Sequence, residues 1–222
     1  MHYDPKHRPA ELRHDPFKAL IVPRPVGWVA TLDAAGRANL APYSFFNAVS
    51  DRPPIVVFSS GGRKDTLRNL EATGEFTCSI ASWDLREAMN MSSAAVAPGV
   101  DEFKLAGLEP AASRFVAPPR VARAPAAFEC RVWKILPLPA PEGRPDAGYS
   151  VVFGEVVGVY IDDAIVHQGQ VDTGAMRAIA RLGYMDYSVV TPESIFTMNR
   201  PIASDDGQGA TLVPGAWDGV YR

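Results

Sequence analysis

The sequence predicts a mostly β protein, an antiparallel barrel that is closed or split, with short helices inserted. Three observations predict it. Strand-like runs follow one another mainly through turns, and the regular βαβ alternation of a doubly wound sheet is missing. Twenty prolines and eighteen glycines in 222 residues cut the chain into short elements. Hydrophobic residues at 47% and charged ones at 21% are ordinary for a globular chain, and this length buries a substantial core. No internal repeat of fixed period is present.

Taken in order, Asp15–Leu20 reads as a short helix with Asp15 as N-cap and Pro16 at its first position. Pro23 and Pro25 force an extended entry to a strand over Val26–Leu32. Asp33-Ala34-Ala35-Gly36 turns the chain, and Ala38–Phe45 returns as the second arm of a hairpin. Pro42 lies inside that arm and assigns it to a sheet edge or a bulge. Ile55–Ser59, bounded by Pro53-Pro54 and Ser59–Gly62, reads as a buried strand. Asp65–Thr73 is the clearest helix: Asp65 caps it, Leu67 and Leu70 share a face, and Gly74 ends it. Phe76–Ala81 is a strand, and Leu85–Met91 a short helix led by Asp84. Residues 94–125 lack periodicity and carry five prolines, which describes a long wrapping segment. Ala126–Leu136 and Tyr149–Ile161 are long strands joined by a proline-rich exposed loop, Pro137–Gly148. Ala175–Leu182 reads as one or two helical turns. This gives an N-terminal arm at 1–14, a domain at 15–200 and a tail at 201–222 that wraps or docks on a partner subunit.

The exclusions are informative. A net charge of −3 argues against nucleic acid as a partner. The first twenty residues do not resemble a signal peptide, and no apolar run approaches the roughly 20 residues of a membrane span, so a cytoplasmic protein is expected. Cys78 and Cys130 sit alone within strand-like runs and read as buried thiols rather than a disulfide or a zinc site. The sequence contains no G-x-S-x-G, H-E-x-x-H, Walker or dinucleotide glycine motif. His2, His7, His14 and His167 have no partners at catalytic or metal-binding spacing. Absence of an acid–base constellation fits chemistry carried by a cofactor that the protein binds and orients.

Two stretches suit such a cofactor. Ser59-Ser60-Gly61-Gly62-Arg63-Lys64-Asp65-Thr66 combines glycines, hydroxyls, a cation and a helix start, which is the chemistry of a phosphate corner. A capped surface helix with a solvated Lys64 is the ordinary alternative. In the hairpin, Trp28, Ala30 and Leu32 share one face, Val29 and Thr31 the other. Small Ala30 and Ala41 leave room for a flat ring, and Thr31, Asn39, Ser44 and Asn47 offer donors and acceptors. Routine packing of Trp28, Phe45 and Phe46, with Asn47 in a turn, is the alternative here.

In their fixed order, however, these residues are distinctive. The chain resembles the flavin reductase-like family of FMN-binding split-barrel proteins, including the flavoprotein oxygenase and nitrilotriacetate-monooxygenase reductase group. The resemblance rests on Arg24-Pro25-Val26-Gly27-Trp28-Val29-Ala30-Thr31, Asn39-Leu40-Ala41-Pro42-Tyr43-Ser44-Phe45-Phe46-Asn47 and Lys64-Asp65-Thr66-Leu67-Arg68-Asn69. Pro53-Pro54, Glu102-Phe103, Gly107-Leu108, Glu129-Cys130, Gly154-Glu155-Val156 and Arg181-Leu182-Gly183-Tyr184 extend it through roughly residues 15–190. It implies a Greek-key split barrel that binds FMN without a covalent link, usually at a homodimer interface. Carried over by position, Thr31 and Asn39 lie near the ring and ribityl chain. Backbone groups of Ala41, Pro42, Tyr43, Ser44 and Phe45 meet the ring edge, and Ser59, Ser60, Lys64 and Thr66 the phosphate. Arg181 is an additional contact, with Trp28, Val29, Ala30 and Asn47 lining the site; Arg24 either reaches the cofactor or the second substrate or braces the entry strand. The implied activity is an NAD(P)H-dependent flavin reductase in which nicotinamide stacks on the flavin and no side chain acts as base. Reduced FMN then passes to a partner monooxygenase or to oxygen. An FMN-binding electron carrier without nicotinamide turnover and a flavoprotein oxygenase with its own organic substrate remain alternatives.

Overall fold

The computed structural model describes residues 1–219. Seven strands form the main sheet: β1 Gly27–Leu32, β2 Ala38–Tyr43, β3 Phe46–Asp51, β4 Pro54–Gly61, β5 Glu75–Ile80, β6 Ala126–Pro137 and β7 Tyr149–Ile161. Their spatial order is β2-β1-β5-β6-β7-β4-β3, and every neighbouring pair is antiparallel. The two edge strands, β2 and β3, are joined only by Ser44 and Phe45, so the sheet must curl until its edges meet. At that seam the Ser59 amide of β4 donates to the Phe45 carbonyl at 2.9 Å. The result is a mainly β split barrel. Pro42, which has no N–H to give to a ladder, indeed sits on an edge strand.

Side-chain alternation sorts the core into two layers. Val29, Phe58, Phe76, Cys78, Cys130 and Val152 point into the barrel, where Leu67 and Leu70 of helix α2 join them. Trp28, Ala30 and Leu40 point outward and are covered by Leu85, Met89, Phe103 and Leu108. The predicted split of β1 between two faces thus holds for Trp28 and Ala30 against Val29. Each fully buried large side chain contributes about 1.5–3 kcal/mol of transfer free energy. Two glycines matter here. Gly154 lies at a bulge in the β6–β7 ladder, and a Cβ there would come within 2.3 Å of the Phe76 ring. Gly74 takes φ +72° and closes α2 by donating to the Leu70 carbonyl. Both cysteines are free and buried, and desolvation pushes both thiols well above their ordinary pKa.

Five helices are short: α1 Phe17–Leu20, α2 Asp65–Thr73, α3 Arg86–Met91, α4 Glu102–Leu105 and α5 Thr173–Met176. Pro16 rather than Asp15 holds the N-cap position of α1, although the Asp15 carboxylate still accepts from the Phe17 amide at 2.9 Å. Asp84 does not cap α3; it lies in a 3₁₀ turn, Trp83–Leu85, and pairs with Arg177 at 3.2 Å. Three segments depart further from expectation. Phe46–Asp51 is a strand that sequence reasoning missed, because Asn47, Ser50 and Asp51 suit an edge exposed to water but not a buried run. Within 94–125, α4 and a short ribbon pairing Pro110–Ala111 with Arg120–Val121 interrupt the wrapping segment. Of Ala175–Leu182 only Ala175 and Met176 are helical, at the end of α5: Arg177 adopts φ 48°, and Ile179–Arg181 continues as a strand between Arg24–Pro25 and Tyr187–Val189. Beyond Pro201 the described tail forms a small exposed hairpin, Ile202–Ala203 with Ala210–Thr211.

Candidate functional site

Strand β2, the start of α2 and the segment after α3 enclose a groove of about 370 Å³. One wall is Asn39, Ala41, Pro42 and Tyr43, and the opposite corner is Arg63, Lys64, Asp65, Thr66 and Arg68. Ser92–Val96, Pro98 and Glu102 complete the lining. The size falls in the roughly 300–1,000 Å³ range of small-molecule sites.

The β2 wall is held by buried hydrogen bonds. The Asn39 side-chain amide donates to the Thr66 hydroxyl at 2.9 Å, and Asn69 donates to Thr31 at 3.0 Å. Both bonds tie the hairpin to α2, and all four residues are buried. The outward Leu40 amide finds its acceptor in the Glu102 carboxylate at 3.0 Å. An edge strand with an unpaired buried N–H would lose about 1–3 kcal/mol, so Glu102 substitutes for a missing neighbour strand. Glu102 is only 7% exposed, and burial raises its pKa against the lowering effect of the Leu40 bond. Tyr43, also buried, has its hydroxyl 3.5 Å from that of Ser60, and desolvation raises its pKa, which keeps it a neutral phenol.

The opposite corner is exposed and cationic. Lys64 occupies the N-cap position of α2 in extended conformation and makes no side-chain cap bond. Asp65 is therefore the first helical residue and not the cap. Its carboxylate pairs with Arg68 and accepts from the Gly99 amide at 3.1 Å, which ties the 92–99 segment to the helix. Arg63 pairs with Glu71 at 2.5 Å. Among the described residues Lys64 enters no ion pair, so its ammonium remains available to an anion. The first N–H groups of α2 lack intrahelical acceptors and add to the positive corner.

The structure thus gathers Asn39, Ala41, Pro42, Tyr43, Lys64 and Thr66 around one groove. Other predicted residues lie elsewhere. Trp28, Val29 and Ala30 are in the core, with Trp28 donating from its indole N–H to Ser92 at 2.9 Å. The Thr31 side chain is spent on Asn69. Ser44 and Phe45 form the seam, with Phe45 packed near Tyr149. Ser59 pairs with Val151 in the β4–β7 ladder, and Ser60 is fully buried beneath Tyr43. Asn47 is on exposed β3, not in a turn, and its side chain accepts from the next amide, Ala48, at 2.8 Å. Arg24 is buried and donates to the carbonyls of Lys18, Ile21 and Leu182, bracing the end of α1. Arg181 lines a different cleft.

Sequence reasoning missed Ser92–Val96 and the role of Glu102. Their signal was faint: small residues without periodicity after α3, and an acid next to Phe103 in a segment far from the hairpin.

Comparison with known proteins gives a consistent result. A family model described as flavin reductase like domain matches residues 19–180. A protein of Aquifex aeolicus is 38% identical over 170 residues, covering 74% of this chain and 83% of its own. Among solved structures, nitrilotriacetate monooxygenase component B from Bacillus cereus superposes with a TM-score of 0.80 at 28% identity, covering 88% of this chain and 98% of its own. The 2-nitrobenzoate 2-nitroreductase of Pseudomonas fluorescens gives 0.78 at 25% identity, with 92% and 100% covered.

Proposed function

The chain belongs to the flavin reductase-like family, and from that premise we propose that it is an FMN-binding oxidoreductase, an NAD(P)H-dependent flavin reductase. The observation that supports this reading best is the continuity of one groove from the β2 wall to the Lys64–Thr66 corner. An apolar-backed strand edge and a cationic helix start, joined within one cavity, suit a flat ring at one end of a ligand and a phosphate at the other.

The residues present fit FMN held without a covalent bond. Lys64 and the free N–H groups of α2 would take the phosphate, with the Thr66 hydroxyl beside them. Asp65 would repel that phosphate if it faced the groove. Its bonds to Arg68 and to the Gly99 amide hold the carboxylate back. Ala41, Pro42 and Tyr43 would lie along the ring, where Ala41 keeps the wall thin. When bound, FMN supplies the hydride-accepting and electron-transferring chemistry. The chain supplies position, a fixed set of dipoles at the strand edge and a cationic anchor. No side-chain base is needed, in keeping with the neutral Tyr43 and the buried Glu102 as the nearest titratable groups of the wall. In this reading the protein acts as a cytoplasmic homodimer, and reduced flavin passes to a partner monooxygenase or to oxygen.

The test is anaerobic addition of NADH and then NADPH to FMN-loaded protein. Bleaching of the visible flavin band by at least one nucleotide is expected. A flavin that dithionite reduces but neither nucleotide does contradicts the reductase reading.

A further inference from the structure

A second cleft, of about 420 Å³, shares no residue with the groove. Helix α3 forms one wall, and the strands Ile179–Arg181 and Tyr187–Val189 form the other. Met89 and Ile179 give it an apolar, buried lining. Trp83 and Tyr187 line it with rings that are partly open to solvent. Each ring carries a guanidinium: Arg86 lies 4.0 Å from the Trp83 ring centre, and Arg181 lies 4.6 Å from that of Tyr187.

The charge balance of this cleft is unusual. Arg181 bonds only to neutral groups, the Tyr187 hydroxyl at 2.5 Å, the Tyr184 carbonyl and the Met185 sulfur at 3.3 Å. Directly opposite it in the strand pair stands Arg24, 6% exposed, which also bonds only to carbonyls and whose buried Nε has no partner. Among the described residues neither arginine enters an ion pair. Desolvation, and then the charge of Arg181, lower the pKa of Arg24. Among the described residues the one carboxylate lining the cleft, Glu87, is 84% exposed and sits 3.5 Å from Arg86. At that exposure it offsets little of the cationic excess.

We infer that this cleft binds a small aromatic carboxylate. The guanidiniums of Arg181 and Arg86 recognise the anion, while the ring packs against Met89 and Ile179 in the space bordered by Trp83 and Tyr187. A simple inorganic anion would leave the apolar lining unused, and a neutral aromatic would leave the positive charge unmatched. The site stands on its own geometry and does not depend on flavin binding in the groove.

Calorimetric titration of the intact protein with benzoate tests it, with benzamide and inorganic phosphate as the two control ligands. Saturable benzoate binding is expected, with benzamide at least about tenfold weaker, the worth of one charge-assisted contact. Arg86→Gln should weaken benzoate about fivefold or more and leave FMN titration unchanged. Arg181→Lys, which keeps the charge but loses the planar fork, should also weaken it. Failure of benzoate to saturate, equal binding of benzamide, or equal competition by phosphate overturns the inference. So does unchanged benzoate affinity in both variants.

Discussion

The two sides of the groove are built on opposite principles. The β2 side is interior chemistry: Asn39 and Glu102 line it, Thr31 and Asn69 lie behind it, and all four are buried and locked into hydrogen bonds. The α2 corner is surface chemistry: Arg63, Lys64 and Arg68 are exposed, and among them Lys64 alone enters no ion pair with the described residues. The difference separates shape from affinity. Changes on the first side should be felt as stability, and changes on the second as ligand binding.

The largest effect that would break this division lies at Trp28. Trp28→Ala should cost about 3–5 kcal/mol of stability in chemical denaturation, because a fully buried indole and its bond to Ser92 are both lost. A change confined to FMN affinity with unaltered stability would return Trp28 to the ligand wall. Lys64→Ala should do the reverse, lowering FMN affinity by about 1–3 kcal/mol while leaving the melting temperature in place. Thr66→Val should show both signatures at smaller size, about 1 kcal/mol each, since Thr66 accepts from Asn39 and also borders the cationic corner. Parent-like behaviour in both assays would remove Thr66 from its bridging role.

A pH experiment sharpens the same contrast. The Glu102 pKa is raised by burial, so in the folded protein it binds its proton more tightly than in the unfolded chain. Its contribution is therefore fully present below the ordinary glutamate pKa and is lost as pH rises through the raised value. Glu102→Gln keeps an acceptor for the Leu40 amide but cannot ionise. Its stability should decline less than the parent's as pH rises from acid towards neutral. Parallel pH profiles for the two proteins would show that Glu102 does not titrate in that window.

The contrast also explains what the sequence made legible. The order of residues 24–66, the α2 helix and the two long strands follow from local signals: alternation, proline position and the Gly74 stop. The bonds from Asn69 to Thr31 and from Asn39 to Thr66 do not, because they join residues separated by 38 and 27 positions. Thr31 therefore reads as a free donor in the sequence and proves to be a satisfied core hydroxyl. Arg181 illustrates the other difficulty. Ala175–Leu182 has helical spacing, but the left-handed backbone at Arg177 ends α5 and sends the chain into a strand beside Arg24. That turn moves Arg181 away from the cationic corner and into a different cleft. Ser92–Val96 were hidden because small residues without periodicity carry no local signature of a wall.

The most direct test of the central claim compares FMN with riboflavin, which lacks the phosphate, by fluorescence titration of the parent and of Lys64→Ala. The parent should prefer FMN, and Lys64→Ala should lose that preference with riboflavin affinity unchanged. An undiminished preference for FMN in Lys64→Ala would contradict that claim and place the phosphate elsewhere.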